Sequence, residues 1–291
     1  MKGVLFDLDG VITSERIYWN CSGLALAKYM GKKMPNSEAG KVKLAQKLLP
    51  DSIIRGFKEA GINSNWDITY ASSIVSKLGR DAKWFQKELK KRGYKGLDYL
   101  KLLDEIDQSQ KHKREGGEWK EAHKKFQACH FELEHTDETV IPLAKVKKAL
   151  KELKALGLKI GIATGRPLGE VDKPLKKWGL WDYFEPAMII TDDDAAREET
   201  RIGRHVGKPD PWIILCAISR NERCSIEEAK KFAGEYLYVG DSVADVLAAK
   251  NAGTPLICVN TGIASKASLK AAGATTILKD ISFLPAALKK T

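Results

Sequence analysis

The amino-acid sequence predicts an α/β fold, a doubly wound (Rossmann-like) parallel sheet core with an inserted all-helical domain. From about residue 140 onward, short apolar runs rich in Val and Ile alternate with helix-periodic segments, as in the buried strands and covering helices of a parallel sheet. One further apolar run, at residues 3–6, stands alone near the N-terminus. The residues in between show helical periodicity and hardly any strand pattern. The sequence therefore predicts an α/β core of residues 1–14 and 140–291 and a helical insertion of residues 15–139.

The core elements follow from periodicity and from glycines that end helices. Gly157, Gly179 and Gly253 each close a helix-periodic segment. Pro174 lies inside one such segment and is expected to kink or restart that helix. The predicted strands are residues 3–6, 159–163, 187–190, 236–239, 256–259 and, more weakly, 275–278. The predicted core helices are residues 143–156, 168–178, 211–220, 226–232 and 242–251.

The insertion contains candidate helices separated by Gly, Pro and Asn. They are residues 17–30, 37–49, 52–60, 66–78, 82–91, 97–111 and 118–135. One predicted strand precedes the insertion and the others follow it, so two linkers, near residues 14 and 140, join it to the core. We therefore expect the insertion to form a mobile cap that hinges on these linkers.

Composition and charge indicate an ordinary globular protein. Of the 291 residues, 43% are hydrophobic and 30% are charged, which argues against a disordered chain. The net charge of +11 is spread over the insertion and the core alike, mostly as Lys interleaved with Glu. This distribution favours solvated helix faces over a nucleic-acid-binding groove, so we expect no nucleic-acid partner.

The sequence also predicts a cytoplasmic protein with no membrane partner. No run approaches the roughly 18 uncharged apolar residues that a membrane helix needs, and the first residues show no basic leader followed by an apolar segment. The five cysteines are scattered and form no Cys-x-x-Cys pair. Such a distribution is typical of a reducing compartment and not of a disulfide framework.

Polar residues follow four of the predicted strands, at the strand ends where open α/β sheets gather functional groups. They are Asp7 and Asp9 after the first, Thr164, Gly165 and Arg166 after the second, residues 192–194 and then Lys208 after the third, and Asp241, Ser242 and Asp245 after the fourth. Two carboxylates two residues apart at a strand end bring negative charges together, which is costly without a cation. Mg2+, which binds carboxylates while keeping waters and substrate oxygens in its shell, would offset that charge.

Four motifs in this order resemble those of the haloacid dehalogenase-like hydrolase superfamily. They are Phe6-Asp7-Leu8-Asp9-Gly10-Val11, Ala163-Thr164-Gly165-Arg166, Gly207-Lys208-Pro209-Asp210-Pro211 and Gly240-Asp241-Ser242-Val243-Ala244-Asp245. The resemblance covers residues 1–13 and about 140–291, and it is closest to the phosphoglycolate phosphatase and β-phosphoglucomutase-like branch, which has a helical cap after the first motif. The chain departs from the pattern at Ser14, where many relatives carry Asp, and in its longer insertion, so the relatives' substrates do not transfer.

The resemblance implies a catalytic or substrate-binding role for several motif residues. Asp7 would be the nucleophile that forms an aspartyl-phosphate, and Asp9 would be the general acid and base. Thr164 and the backbone N–H groups that follow it, beginning at Gly165, would bind phosphoryl oxygens. Lys208 would offset the negative charge of Asp7 and of the phosphoryl group.

The resemblance also implies a Mg2+ site. Asp7 and Asp241 would bind the ion through their carboxylates, and Asp9 would bind it through its backbone carbonyl. Asp245 would be either a direct or an outer-shell ligand.

Some polar residues near the motifs have two interpretations. Arg166 either touches the substrate or pairs with a nearby carboxylate. The acidic residues 192–194 are expected to be solvated in a long loop outside the site. In the insertion, His112, His123, His130 and His135 lack the paired short spacings of a zinc site, so we expect no zinc there.

The sequence thus predicts a Mg2+-dependent phosphatase that hydrolyses a small phosphate monoester, with a small phosphorylated metabolite as its partner. Two alternatives remain open. One is a phosphomutase, in which a second sugar hydroxyl accepts the phosphoryl group, and the other is a non-catalytic phosphate-binding regulator on the same fold. The sequence specifies neither the substrate nor the oligomeric state.

Overall fold

The computed structural model of the chain describes residues 1–62, 64–133 and 137–289. These residues divide into two compact units, Met1–Ser14 with Glu138–Thr291, and Glu15–Asp137. We name the first the α/β unit and the second the helical unit.

The α/β unit is built on a six-stranded parallel sheet. Its strands are β1 Gly3–Phe6, β2 Lys159–Ala163, β3 Ile189–Ile190, β4 Tyr236–Gly240, β5 Leu256–Val259 and β6 Ile277–Leu278. Their order is β3-β2-β1-β4-β5-β6, so the chain winds outward from β1 in both directions. The predicted doubly wound sheet is confirmed, with β3 and β6 shorter than expected. The winding direction reverses beside β1, and ligands bind at the carboxyl ends of strands at such a point.

The described residues form α-helices that are numbered along the chain. In the helical unit these are α1 Arg16–Tyr29, α2 Glu38–Leu48, α3 Asp51–Glu59, α4 Asn65–Lys77, α5 Ala82–Arg92, α6 Tyr99–Ile106 and α7 Gly117–Leu133. In the α/β unit these are α8 Leu143–Ala155, α9 Leu168–Lys177, α10 Asp192–Ile202, α11 Trp212–Glu222, α12 Ile226–Phe232, α13 Val243–Ala252, α14 Lys266–Ala272 and α15 Leu284–Leu288. None of the helices in the described ranges combines the length and the hydropathy needed to cross a bilayer.

Helices cover both faces of the sheet. Val4 and Phe6 of β1 belong to one core cluster, together with Leu150 of α8. Leu5 belongs to the other cluster, together with Ile214 of α11. All five side chains are fully buried. Because β1 has no solvent-facing side, its sequence is a continuous apolar run without polar alternation.

The helical unit has a hydrophobic core of its own. Cys21 and Leu24 of α1 share a cluster with Phe126 and Leu133 of α7. The helix predicted over residues 97–111 is shorter than expected, because α6 already ends at Ile106. Of the histidines, His112 is hydrogen-bonded to a tyrosine and an aspartate, His123 packs against two tryptophans and His130 stacks on a tyrosine, while His135 lies outside the described residues.

Residues 192–194 begin helix α10, so the expectation of a solvated loop is wrong. Asp194 Oδ2 accepts hydrogen bonds from the amide and the hydroxyl of Thr191, at 3.0 and 3.2 Å. Carboxylates in a first helical turn also interact favourably with the N-terminal end of the helix dipole. Asp194 is only 7% exposed, and its Oδ1 accepts from Arg197 and Arg220 at 2.7 Å each. The acidic triplet therefore starts a helix and anchors it to α11.

Helix α9 passes through Pro174 as a single helix, so the expectation of a restarted helix is wrong. Proline has no N–H, so position 174 donates no helical hydrogen bond to the Glu170 carbonyl, four residues earlier. That carbonyl instead accepts a hydrogen bond from Arg166 Nη1 at 3.2 Å.

We expect Asp194→Asn to lower the free energy of unfolding by about 1–2 kcal/mol at pH 7, because the amide loses two charged hydrogen bonds to partly exposed arginines. Burial raises the pKa of Asp194, but its hydrogen bonds with Arg220, Thr191 and Arg197 outweigh burial and hold the pKa below its usual value. The stabilisation is therefore complete above the unfolded-state pKa of about 4 and is lost as the pH falls through the lower folded-state pKa.

Urea denaturation of both proteins between pH 7 and pH 3 measures this difference. Glu227→Gln, in an exposed pair with Lys230, is the matched control and should change the free energy of unfolding by less than about 0.5 kcal/mol. A difference between wild type and Asp194→Asn that stays constant over this pH range would contradict the ion-pair explanation.

Candidate active site

Three adjacent strands hold the first, second and fourth motifs at one edge of the sheet. Asp7 follows β1, Thr164 follows β2 and Asp241 follows β4. The Asp7 amide donates to the Val239 carbonyl at 2.9 Å, and the Thr164 amide donates to the Ile190 carbonyl at 3.1 Å. The sheet ladder therefore continues through Asp7 and Thr164 and fixes their backbones.

A cluster of three buried carboxylates forms at this edge. One oxygen from each of Asp7, Asp241 and Asp245 lies within 4.8 Å of the others. Lys208 Nζ lies 2.9 Å from Asp7 Oδ1 and 2.7 Å from Asp245 Oδ1. Lys208 thus contacts two of the three carboxylates of the cluster.

Asp245 is the most heavily hydrogen-bonded member of the cluster. Its Oδ2 accepts from the Ser242 hydroxyl at 2.7 Å, from the Ser242 amide at 3.0 Å and from the Asp241 amide at 3.1 Å. Its Oδ1 accepts from Lys208 Nζ at 2.7 Å and from the Tyr238 hydroxyl at 3.0 Å. Burial raises the pKa of this carboxyl, but Lys208 and Ser242 outweigh burial and hold the pKa below its usual value. Asp245 therefore fixes both Lys208 and the backbone that carries Asp241.

The pKa of Asp7 shifts in the opposite direction, because here burial is not outweighed. Desolvation raises its pKa, the Lys208 ammonium lowers it, and the nearby charges of Asp245 and Asp9 raise it further, so that the pKa is about 7. In the absence of a further cation, the ionised form of Asp7 is thus poorly compensated.

Two glycines enclose the Asp241 carboxylate. A Cβ on Gly262 would lie 1.5 Å from Asp241 Oδ2, and a Cβ on Gly10 would lie 2.4 Å from the same atom. Gly10 also has a φ of +73°, which disfavours any larger residue there. The Thr261 hydroxyl donates to the Gly10 carbonyl at 2.5 Å and joins the two loops. The position of the Asp241 carboxylate thus depends on the absence of a side chain on either loop.

A divalent oxygen-binding cation fits this arrangement. Mg2+ is bound by carboxylates and demands a nearly ideal octahedral arrangement of its ligands. The cluster offers only oxygen donors, two of its carboxylates contact Lys208, and Asp241 packs closely against Gly10 and Gly262. Asp7 and Asp241 would be the carboxylate ligands, whereas both oxygens of Asp245 already accept hydrogen bonds.

The Asp9 side chain contacts residues outside the carboxylate cluster. Its Oδ1 accepts from the Thr13 hydroxyl at 3.0 Å and from Arg166 Nε and Nη2 at 2.9 and 2.5 Å. The Arg166 side chain is 2% exposed, whereas that of Asp9 is 21% exposed. Of the two interpretations of Arg166, the structure thus shows the pairing with a carboxylate. The side chain of Asp9 is not part of the carboxylate cluster.

Thr164 and Gly165 line the same edge. Thr164 is buried, and its hydroxyl oxygen accepts from the Arg166 amide at 3.3 Å. No atom lies within 4 Å of the position that a Cβ on Gly165 would take. The backbone after β2 is therefore accessible to a small anion.

Sequence reasoning missed several residues that support the site. The Ser242-x-x-Asp245 spacing is a capping pattern and could have shown that Asp245 accepts from Ser242. Tyr238 is an ordinary apolar-run residue in the sequence, and only the strand register places its hydroxyl beside Asp245. Gly262 lies in an unremarked turn after β5, and its proximity to Asp241 is visible only in three dimensions.

Comparison with known proteins gives the following relationships. The model of the haloacid dehalogenase-like hydrolase family matches residues 1–253. Pyrophosphatase PpaX of Bacillus velezensis is 35% identical over 124 residues, which is 43% of this chain and 49% of that protein. Phosphoglycolate phosphatase of Yersinia pseudotuberculosis is 34% identical over 121 residues, which is 40% of this chain and 43% of that protein. The matches thus span about half the length of these curated relatives.

Solved structures share the fold over the full length. A Thermotoga maritima protein assigned as a β-phosphoglucomutase is 21% identical, with a TM-score of 0.53 and complete coverage of both chains. At this identity the likeness concerns the fold alone.

We expect Gly262→Ala to weaken Mg2+ binding by about tenfold or more, because the new methyl group would displace the Asp241 carboxylate. Isothermal titration with MgCl2 measures the dissociation constant. Gly234→Ala is the matched control, since a Cβ there meets no atom within 4 Å. Equal Mg2+ affinities of wild type and Gly262→Ala would show that Asp241 does not hold the ion.

Proposed function

Because the chain belongs to the haloacid dehalogenase-like hydrolase family, we propose that it is a Mg2+-dependent phosphatase acting on a small phosphate monoester. The observation that carries this proposal is the contact of Lys208 with Asp7, whose carboxylate lies near that of Asp241. Asp9 follows Asp7 by two residues, and Arg166 binds its side chain separately. This set offers a nucleophile, a charge-neutralising group, a cation site and an acid at one strand end.

Asp7 is the proposed nucleophile. One of its carboxylate oxygens forms a bond to phosphorus, and the bond between phosphorus and the ester oxygen breaks, which leaves an aspartyl-phosphate. Attack requires the ionised carboxylate, and Lys208, 2.9 Å away, favours that form and offsets the charge of the incoming phosphoryl group. The sheet ladder holds the Asp7 backbone, so the attack geometry is fixed before the substrate binds.

Asp9 is the proposed general acid and base. In the first step it gives a proton to the departing ester oxygen. In the second step it takes a proton from a water molecule whose oxygen attacks the aspartyl-phosphate, and the Asp7 carboxylate leaves. Asp9 suits both steps because its side chain is partly exposed and is held by Thr13 and Arg166 outside the carboxylate cluster.

Asp7, Asp241 and the Asp9 backbone carbonyl would hold Mg2+. When bound, the ion supplies positive charge that stabilises the transferring phosphoryl oxygens. Asp245 is better suited to an outer position, where it orients Lys208 and the Asp241 backbone. The Thr164 hydroxyl and the backbone N–H groups from Gly165 onward would bind phosphoryl oxygens.

The proposed substrate is a small phosphorylated metabolite with a second anionic or strongly polar group. The names of the two curated relatives, a pyrophosphatase and a phosphoglycolate phosphatase, include substrates of this kind. The positive net charge of the chain would attract such a substrate. We place the protein in the cytoplasm, where small phosphorylated metabolites are made and consumed.

A phosphomutase would use the same residues and would return the phosphoryl group to a sugar hydroxyl. Release of inorganic phosphate without a sugar acceptor separates the two functions. A regulator that only binds phosphate would have no use for an acid–base residue beside the nucleophile, which is why we favour an enzyme.

We expect Asp7→Asn to reduce hydrolysis of p-nitrophenyl phosphate below about one hundredth of the wild-type rate, because the amide keeps the shape of the side chain and loses its nucleophilic charge. Circular dichroism and thermal melting check that the variant folds. Asp182→Asn makes the same chemical change at an exposed position and should leave the rate within about twofold. A folded Asp7→Asn protein with greater residual activity would contradict the covalent mechanism.

We expect dialysis against EDTA to abolish hydrolysis and added MgCl2 to restore it, because an all-oxygen carboxylate site favours hard divalent ions. Phosphate release is measured before and after MgCl2 is added, with ZnCl2 in a parallel sample. Full activity after EDTA, or recovery with zinc but not with magnesium, would contradict the assignment of the metal.

A further inference from the structure

We propose that Pro174 is a positioning residue for the acid–base chemistry of Asp9, acting through the Glu170 carbonyl and Arg166. This inference rests on the proposed phosphatase function. It concerns a proline in the middle of helix α9, whose sequence pattern suggests only a helix interruption.

The contacts form a continuous chain from the helix to the acid. The Glu170 carbonyl accepts from Arg166 Nη1 at 3.2 Å. Nε and Nη2 of the same guanidinium donate to Asp9 Oδ1 at 2.9 and 2.5 Å. Because a guanidinium group is planar and rigid, fixing Nη1 on one side sets the direction of Nε and Nη2 on the other.

The backbone of Arg166 is held independently. Its amide donates to the Thr164 hydroxyl oxygen at 3.3 Å, and its carbonyl accepts from the Asp192 amide at 2.9 Å. With the backbone fixed in this way, the direction of the side chain depends on what its guanidinium contacts. The Glu170 carbonyl is one such contact, and it comes from the helix that follows Arg166.

Pro174 explains why the Glu170 carbonyl accepts a hydrogen bond from a side chain instead of from the helix backbone. In a regular helix the N–H of residue 174 would donate to the carbonyl of residue 170. Proline has no N–H, and its ring crowds the carbonyl four residues earlier, so proline inside a helix is costly. The helix nevertheless continues through Pro174 to Lys177. The proline thus removes the helical donor that would share this carbonyl with Arg166, and the hydrogen bond to Arg166 is no longer weakened by sharing.

The two carboxylate oxygens of Asp9 differ in their hydrogen bonds. In the described part of the chain, Thr13 and Arg166 all donate to Oδ1. An oxygen that accepts from an arginine in this way does not carry the proton. Oδ2 is therefore the oxygen left for proton transfer in the proposed mechanism, and its direction is set by the hydrogen bonds to Oδ1.

The test uses Pro174→Ala, which restores the helical N–H donor. Phenyl phosphate and p-nitrophenyl phosphate have the same shape, but phenol is the weaker acid and its departure depends more on proton donation. We expect kcat/KM to fall about tenfold for phenyl phosphate and less than about twofold for p-nitrophenyl phosphate. We also expect the thermal midpoint to rise, because alanine favours the helix. A merely structural proline would not change the ratio of the two rates.

Three further proteins complete the design. Lys177→Ala, an exposed change in the same helix, should leave the ratio unchanged. Arg166→Lys, which loses the planar fork, should lower kcat/KM for phenyl phosphate by at least as much as Pro174→Ala. Lactic acid at position 174, which forms an ester and has no N–H, should return the phenyl phosphate rate to within about twofold of wild type.

The possible results separate the two proposals. A wild-type protein that hydrolyses neither ester refutes the phosphatase function and the inference with it. A wild-type protein that hydrolyses both, with an unchanged rate ratio in Pro174→Ala, refutes only the role of Pro174. A selective loss that the ester at position 174 does not reverse also refutes it, because the missing N–H would then not be the cause.

Discussion

The ion cluster around Lys208 is the constraint on which the rest of the site depends. Three carboxylates are buried near the carboxyl ends of β1 and β4, and burying ionised groups without compensation is strongly unfavourable. Lys208 compensates part of this charge through Asp7 and Asp245. Although burial lowers the pKa of Lys208, the neighbouring Asp245 and Asp7 raise it well above its usual value, so the side chain stays charged. The remaining negative charge makes the cluster suitable for a divalent cation.

Asp245 connects this cluster to the secondary structure. It caps helix α13 by accepting from Ser242, and it also accepts from Lys208 and Tyr238. The N-terminus of α13, the interior of β4 and the Lys208 loop therefore meet at one carboxylate. Substitution of Asp245 would disturb the start of a helix and the position of the lysine together, so its effects on stability and on chemistry are not separable by a single mutation.

The doubly wound parallel sheet and most of the positions where its strands end could be predicted from the sequence. The reason is that a parallel sheet buried on both faces has continuous apolar runs and places its polar residues after them. The sequence was insufficient where a tertiary contact overrides a local pattern. The acidic residues 192–194 look like a solvated loop, but Thr191 caps them and Arg220, on another helix, pairs with Asp194. Likewise, only the folded chain shows that Arg166, 157 residues from Asp9, meets it.

Asp7 and Asp9 show how two identical side chains at one strand end can acquire different chemistry. Asp7 is buried, it contacts Lys208, and burial raises its pKa to about 7. Asp9 is partly exposed, and among the described residues a hydroxyl and a guanidinium bind it through Oδ1. Both residues lie beyond the last residue of β1, where Asp7 contacts Lys208 and Asp9 contacts Thr13 and Arg166. The proposed division between nucleophile and acid therefore follows from the environment that the fold gives each carboxylate, and not from the residue type.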